Sequence, residues 1–139
     1  MKILIMGNSG SGKTVLSEKI LKKIKLRYVN GDIIRENHDD WDFSIEGRNR
    51  QAKRMGILLD GCDGIADFIC PPKDTRKIFR PDFIIWMDTI DSGKFEDTNR
   101  IFEEPYGVDL KITDWDYDLD SICKSITDFI NTQKRNSDG

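Results

Sequence analysis

The sequence has one histidine, His38, and three cysteines, Cys62, Cys70 and Cys123, with no Cys-x-x-Cys pair among them. The ligand spacings of a structural zinc site are therefore missing. An odd number of thiols, two of them in apolar stretches, argues against a disulfide framework. Buried free thiols in a reducing cytoplasm are the expectation. Long hydrophobic runs are missing too: none approaches the roughly 18 apolar residues of a membrane span. Met1 to Met6 is too short for a signal peptide, so neither membrane insertion nor export is expected. Positive charge is not in excess, with 22 Lys and Arg against 25 Asp and Glu and a net charge of −3. The global basic footprint of a duplex-binding module is absent, as are repeats, linkers and low-complexity tracts.

What is present suffices for one core. A chain of 139 residues buries about two-thirds of the surface its unfolded form exposes, so a single domain over 1–139 is expected. Lys2 to Met6 is a short apolar run ending at Gly7, the pattern of a strand buried on both faces of a parallel sheet. Leu16, Ile20 and Ile24, widened by Val15 and Leu21, make 13–24 an amphipathic helix. Leu26 to Val29 reads as a second strand and 45–60 as a helix with Ala52, Met55, Leu58 and Leu59 inward; 64–70, 82–87 and 108–112 read as further strands. In the last helix Leu119, Ile122, Cys123, Ile126, Phe129 and Ile130 recur at helical spacing behind a capping Asp118, and 131–139 is expected to fray. Alternating strands and helices predict an α/β three-layer fold: a mostly parallel five-stranded sheet flanked by helices, with ligands at the carboxyl ends of the strands.

Between the first strand and the first helix stand Gly7, Asn8, Ser9, Gly10, Ser11, Gly12, Lys13 and Thr14, a full match to the P-loop pattern G-x-x-x-x-G-K-[ST] in its required setting. Successive backbone N–H groups and the positive end of the following helix surround a polyphosphate there. Lys13 is placed to neutralise β- and γ-phosphates and the Thr14 hydroxyl to ligate Mg²⁺. ATP with Mg²⁺ is thus the expected phosphoryl donor, and the P-loop NTPase or kinase fold the expected frame.

An enzyme also needs an acceptor site. In the strand orders common to such sheets the end of the second strand lies beside the P-loop strand, and there the sequence offers Asp32 and Arg35. Asp32 suits orienting or deprotonating an acceptor hydroxyl, and holding Mg²⁺ through water. The alternative is a plain Asn30-Gly31-Asp32 turn with a capping aspartate. Arg48 and Gln51 share the inward face of Ala52 and Met55, where a phosphate or sulfate can be held; a structural ion pair is the other reading of Arg48. Arg50, Lys53 and Arg54 fall on another face and read as solvated.

Taken in order, Asn30-Gly31-Asp32-Ile33-Ile34-Arg35, Asp42-Phe43-Ser44, Arg48 and Arg54, Ile69-Cys70-Pro71 with Arg76, and Phe102-Glu103-Glu104-Pro105 resemble the motifs of adenylylsulfate kinases, across roughly residues 1–112. Those enzymes transfer the γ-phosphate of ATP to the ribose 3′-hydroxyl of adenylylsulfate. The resemblance implies a catalytic place for Asp32 beside that hydroxyl, binding places for Arg35, Phe43, Arg48 and Gln51, and backbone contacts from Ile69 and Cys70. Phe43 becomes an aromatic wall against the adenine, or alternatively a core residue. A homodimer is implied as well.

The chain departs from the family's pattern at several points. Asn30-Gly31-Asp32-Ile33 replaces Asp-Gly-Asp-Asn, Gln51 replaces an asparagine, and Cys70 replaces a serine. A long basic lid after the fourth strand is reduced to Ile90 to Arg100, whose cations are Lys94 and Arg100, leaving Lys13, Mg²⁺ and Arg100 as the candidates for bringing positive charge to the transferring phosphoryl group. Two other functions fit these residues. One is a kinase of another hydroxyl, on a nucleoside, a modified base or a polynucleotide end, the one case with a nucleic-acid partner. The other is an ATP-binding module without catalysis. His38, among Asp39, Asp40 and Asp42, reads as solvated, Trp86 as core, and Trp41 and Trp115 as loop residues, with Trp41 placed to border the acceptor.

Overall fold

A computed structural model describes residues 1–70, 72–90 and 107–138. Strands β1 (Lys2–Gly7), β2 (Arg27–Asn30), β3 (Gly64–Asp67), β4 (Phe83–Met87) and β5 (Leu110–Ile112) form one sheet in the order β2-β3-β1-β4-β5. Every pairing in it is parallel. The helices are α1 (Lys13–Leu21), α2 (Gly31–His38), α3 (Ile45–Leu58), α4 (Lys73–Phe79) and α5 (Leu119–Asp138).

The three layers follow from the period of two along the central strand. Ile3 and Ile5 of β1 join Leu16 and Ile20 of α1 and Ile122, Ile126 and Ile130 of α5. Leu4 and Met6, pointing the other way, join Ile34 of α2, Ala52 and Met55 of α3 and Phe79 of α4. All four β1 residues are fully buried, as a strand covered by helices on both faces requires.

The sheet order corrects one expectation. The end of β2 does not lie beside β1, because β3 stands between them. Burial decides this: β3 is buried at all four positions, whereas β2 carries an exposed Arg27 and a half-buried Tyr28 and takes the edge, where polar side chains reach water.

Other boundaries shift as well. Residues 31–38 form a helix rather than a turn, and its cap is Asn30, whose Oδ1 accepts from Ile33 N at 3.1 Å, with Asp32 in the first turn. Helix α4 was likewise not expected. Helix α1 stops at Leu21 and α3 at Leu58, and β3 ends at Asp67; three residues on, Cys70 has φ +41°, outside strand geometry. Helix α5 runs on to Asp138 instead of fraying after Ile130; the Thr132 hydroxyl donates to the Asp128 carbonyl at 2.8 Å and Lys134 lies 3.8 Å from Asp63. Asp118 caps α5 as expected, accepting from Ser121 N at 3.1 Å. The three cysteines are unpaired, with Cys70 and Cys123 buried. Among the described residues no helix is long and apolar enough to cross a membrane.

Candidate functional site

The P-loop turns from β1 into α1 with Gly12 at φ +96° as the helix N-cap, a conformation that favours glycine. Lys13, only 9% exposed, donates from Nζ to the Asn8 carbonyl at 3.0 Å. Burial lowers its pKa, and the Asp67 and Asp32 carboxylates pull it back up. Thr14 is on the open side, and its hydroxyl donates to Asp67 Oδ2 at 2.7 Å.

Asp67 is one of the cleft residues that sequence reasoning missed. It ends β3, directly beside β1, and is 2% exposed. The same Oδ2 accepts from the Tyr28 hydroxyl at 2.8 Å and Asn30 Nδ2 at 3.3 Å. Burial, and then the neighbouring Asp67 charge, push the Tyr28 phenol up to about 12. The signal in the sequence was a lone carboxylate closing the apolar run Gly64-Ile65-Ala66-Asp67, since a buried carboxylate demands partners.

The donor set suits Mg²⁺. The Thr14 hydroxyl and the Asp67 and Asp32 carboxylates are hard oxygen ligands. No group of three or more His, Cys, Asp or Glu among the described residues forms a metal cage.

On the other side of the P-loop, the segment between α2 and α3 carries Phe43 and is held by four arginines. Arg35 Nη1 donates to the Asp40 and Asp42 carbonyls at 2.9 and 3.1 Å, and Arg48 Nε donates to the Phe43 carbonyl at 2.6 Å. Both guanidiniums also stack on the Phe43 ring, at 4.5 and 5.4 Å from its centroid. Arg50 and Arg54 are not merely solvated: Arg50 pairs with Asp40 at 3.2 Å and Asp42 at 2.9 Å, and Arg54 with Asp40 at 2.7 Å. Arg50 and Arg54 hold the Asp40 carboxyl below the ordinary range, and bonds to Ser44, then Arg50, hold Asp42 at about 2. Lys53 is exposed, as read.

One cleft of about 360 Å³ joins the two sides. Ser9, Gly10, Gly12, Lys13 and Thr14 line it from the P-loop, and Asp32, Arg35, Phe43, Arg48 and Gln51 line it from α2 to α3. Gly7, Asn8 and Ser11 stand behind that surface. Gln51 Nε2 donates to the Gly31 carbonyl at 2.7 Å, and its Oε1 is buried without a hydrogen-bond partner. A Cβ at Gly31 would sit 2.6 Å from Phe68 Cβ, so glycine lets α2 start against the cleft wall. Ile69 and Cys70 complete that wall; burial pushes the Cys70 thiol up, against the weaker pull of Arg76, so it stays protonated and is no nucleophile. Trp115, from the loop after β5, lines the cleft beside Gly12, and nothing in its sequence context had marked it.

Trp41 is exposed and does not line the cleft, His38 ends α2 in solvent, and Trp86 is core. Arg100, Lys94 and Phe102 to Pro105 lie outside the described residues.

Among solved structures the chain is similar to the APS kinase of Mycobacterium tuberculosis in complex with AMPPNP and APS, with TM-score 0.72 and 20% identity over 94% of this chain and 96% of that one. It is also similar to a gluconokinase of Sinorhizobium meliloti, at TM-score 0.65 and 16% identity over 97% and 94% of the two chains. A shikimate kinase of Acinetobacter baumannii in complex with shikimate matches at TM-score 0.60 and 14% identity, over 96% and 94%. The chain has the P-loop kinase fold. No protein-family model and no curated protein sequence matches it. These neighbours are named as an APS kinase, a gluconokinase and a shikimate kinase, so their common feature is the frame rather than one acceptor.

Proposed function

We propose that this chain is an ATP-dependent kinase whose acceptor is the ribose 3′-hydroxyl of adenylylsulfate. The observation that carries the reading is one cleft lined by Lys13, Thr14 and Asp67 together with Asp32, Arg35, Phe43 and Arg48.

Lys13, held on the Asn8 carbonyl, turns to the β- and γ-phosphates when the donor enters, and the P-loop N–H groups bind the same phosphates. Thr14, with Asp67 behind it, and Asp32 through water would hold Mg²⁺, which would supply positive charge to the phosphate oxygens. Asp32, exposed in the first turn of α2, accepts the proton of the acceptor hydroxyl and aligns its oxygen with the γ-phosphorus. Arg35 and Arg48 bring positive charge to an anionic acceptor, and Phe43, which both guanidiniums contact, lines the cleft with them as an aromatic wall. Arg100 is the candidate cation for the transferring group.

The test is transfer from γ-labelled ATP with Mg²⁺ to adenylylsulfate, nucleosides and oligonucleotides. Label on adenylylsulfate is expected, with Lys13→Ala and Asp32→Asn each lowering the rate by roughly 10²-fold or more. Label on another acceptor alone overturns adenylylsulfate and keeps the kinase. ATP binding without transfer to any acceptor leaves a nucleotide-binding module.

A further inference from the structure

We propose that Asn30 is a positioning residue whose amide ties the helix carrying Asp32 to the Thr14–Asp67 pair, an inference that deepens the kinase reading above and rests on it. Asn30 closes β2 immediately before α2 and lines the cleft with Asp32 and Asp67. Its carbonyl end caps α2: Oδ1 accepts from Ile33 N at 3.1 Å, which fixes where the helix begins and so places Asp32 in its first turn. Its amino end meets the P-loop side of the cleft. There Nδ2 donates to Asp67 Oδ2 at 3.3 Å and to the Tyr28 hydroxyl at 3.2 Å, with the Thr14 hydroxyl 3.5 Å away.

The residue type decides the role. A carboxylate only 2% exposed has to be met by donors, and Asp67 Oδ2 is met by Thr14 from α1, Tyr28 from β2 and Asn30 from the start of α2. Asparagine serves both ends because one amide carries an acceptor and a donor. The opposite amide orientation would set its amino group against the Ile33 N–H and its carbonyl against the carboxylate, so the network admits one orientation. Aspartate or serine would cap α2 equally well. Serine has no amino group to give, however, and aspartate would bring a second negative charge to Asp67 across a contact of 3.3 Å. Asp67 thereby accounts for asparagine where the adenylylsulfate kinase pattern has aspartate.

The experiment reads denaturant midpoints of the metal- and nucleotide-free chain for Asn30→Asp, Asp67→Asn and the two together, and kcat with the ATP KM of γ-phosphate transfer for Asn30→Ser. Asn30→Asp keeps the cap and sets two carboxylates against each other, so its midpoint is expected to fall. The paired exchange restores one amide against one carboxylate and is expected to recover most of that loss. Asn30→Ser keeps the cap and gives up the donor to Asp67, and its kcat is expected to fall roughly tenfold while the ATP KM holds. An unmoved midpoint in Asn30→Asp, or losses that simply add in the pair, overturns the tie. An unchanged kcat in Asn30→Ser, or a kcat that falls only together with a rising ATP KM, leaves Asn30 a plain helix cap and overturns the positioning role. If the unaltered chain transfers no label to any acceptor, the kinase reading fails and the positioning role with it, whereas the midpoints still decide whether Asn30 and Asp67 are tied.

Discussion

Asp67 Oδ2 accepts from Thr14, Tyr28 and Asn30 together, so one atom links the P-loop to the ends of β2 and β3. Asp67→Asn keeps the shape and removes the charge. It is expected to raise the Mg²⁺ concentration for half-maximal rate roughly 10- to 100-fold, with metal-free ADP binding unchanged; an unaltered Mg²⁺ dependence would sink this role. The Tyr28 phenol, at about 12 in the fold, titrates near 10 when unfolded. Its stabilisation is therefore whole below about pH 10 and is lost as pH rises toward about 12. Denaturant midpoints followed from about pH 9 upward are expected to fall less steeply in Tyr28→Phe than in the unaltered chain. Parallel curves would mean that the Tyr28–Asp67 bond does not govern alkaline stability. Neither role could be read from residue types, because both arise from a contact made across more than thirty residues.

At the scale of elements, the connection from α2 to α3 is held by charge. Arg35 and Arg48 bind its carbonyls from inside the cleft, and Arg50 and Arg54 bind its carboxylates from outside. The Asp40 and Asp42 carboxyls are lowered in the fold, so this support is present above their unfolded pKa near 4 and weakens as pH falls toward about 2. Solvent screens such exposed pairs, so each contributes little by itself. Arg54→Ala is accordingly expected to raise the acceptor KM by a few-fold while kcat and the ATP KM hold, with partial rescue in Arg54→Lys. A fall in kcat at unchanged KM would count against the clamp. Helical spacing had separated Arg48 from Arg50 and Arg54 correctly. The carboxylates waiting on the second face were invisible to it, because Asp40 and Asp42 precede the helix and curl back over it.

For the whole molecule, stability rests on two apolar layers that share β1. Ile126, 1% exposed, joins α5 to the sheet on one face. Ile126→Ala is expected to cost about 2–5 kcal/mol in one cooperative transition followed by circular dichroism. Two separate transitions would show that the faces fold independently.

The P-loop, the apolar period of β1 and the helical spacing of α3 and α5 were legible in the sequence, because each is a local pattern whose physics acts between neighbouring residues. Asp32, Arg35 and Arg48 were legible as candidates for the same reason: their spacing and residue types are local. Strand order was not, since β3 rather than β2 lies beside β1 through competition among strands for the buried centre of the sheet. Nor were Asp67 and Trp115 marked as cleft residues. Their meaning depends on what the sheet brings beside the P-loop, a carboxylate from one neighbouring strand and an indole from the far edge, and that juxtaposition exists only once the chain has folded.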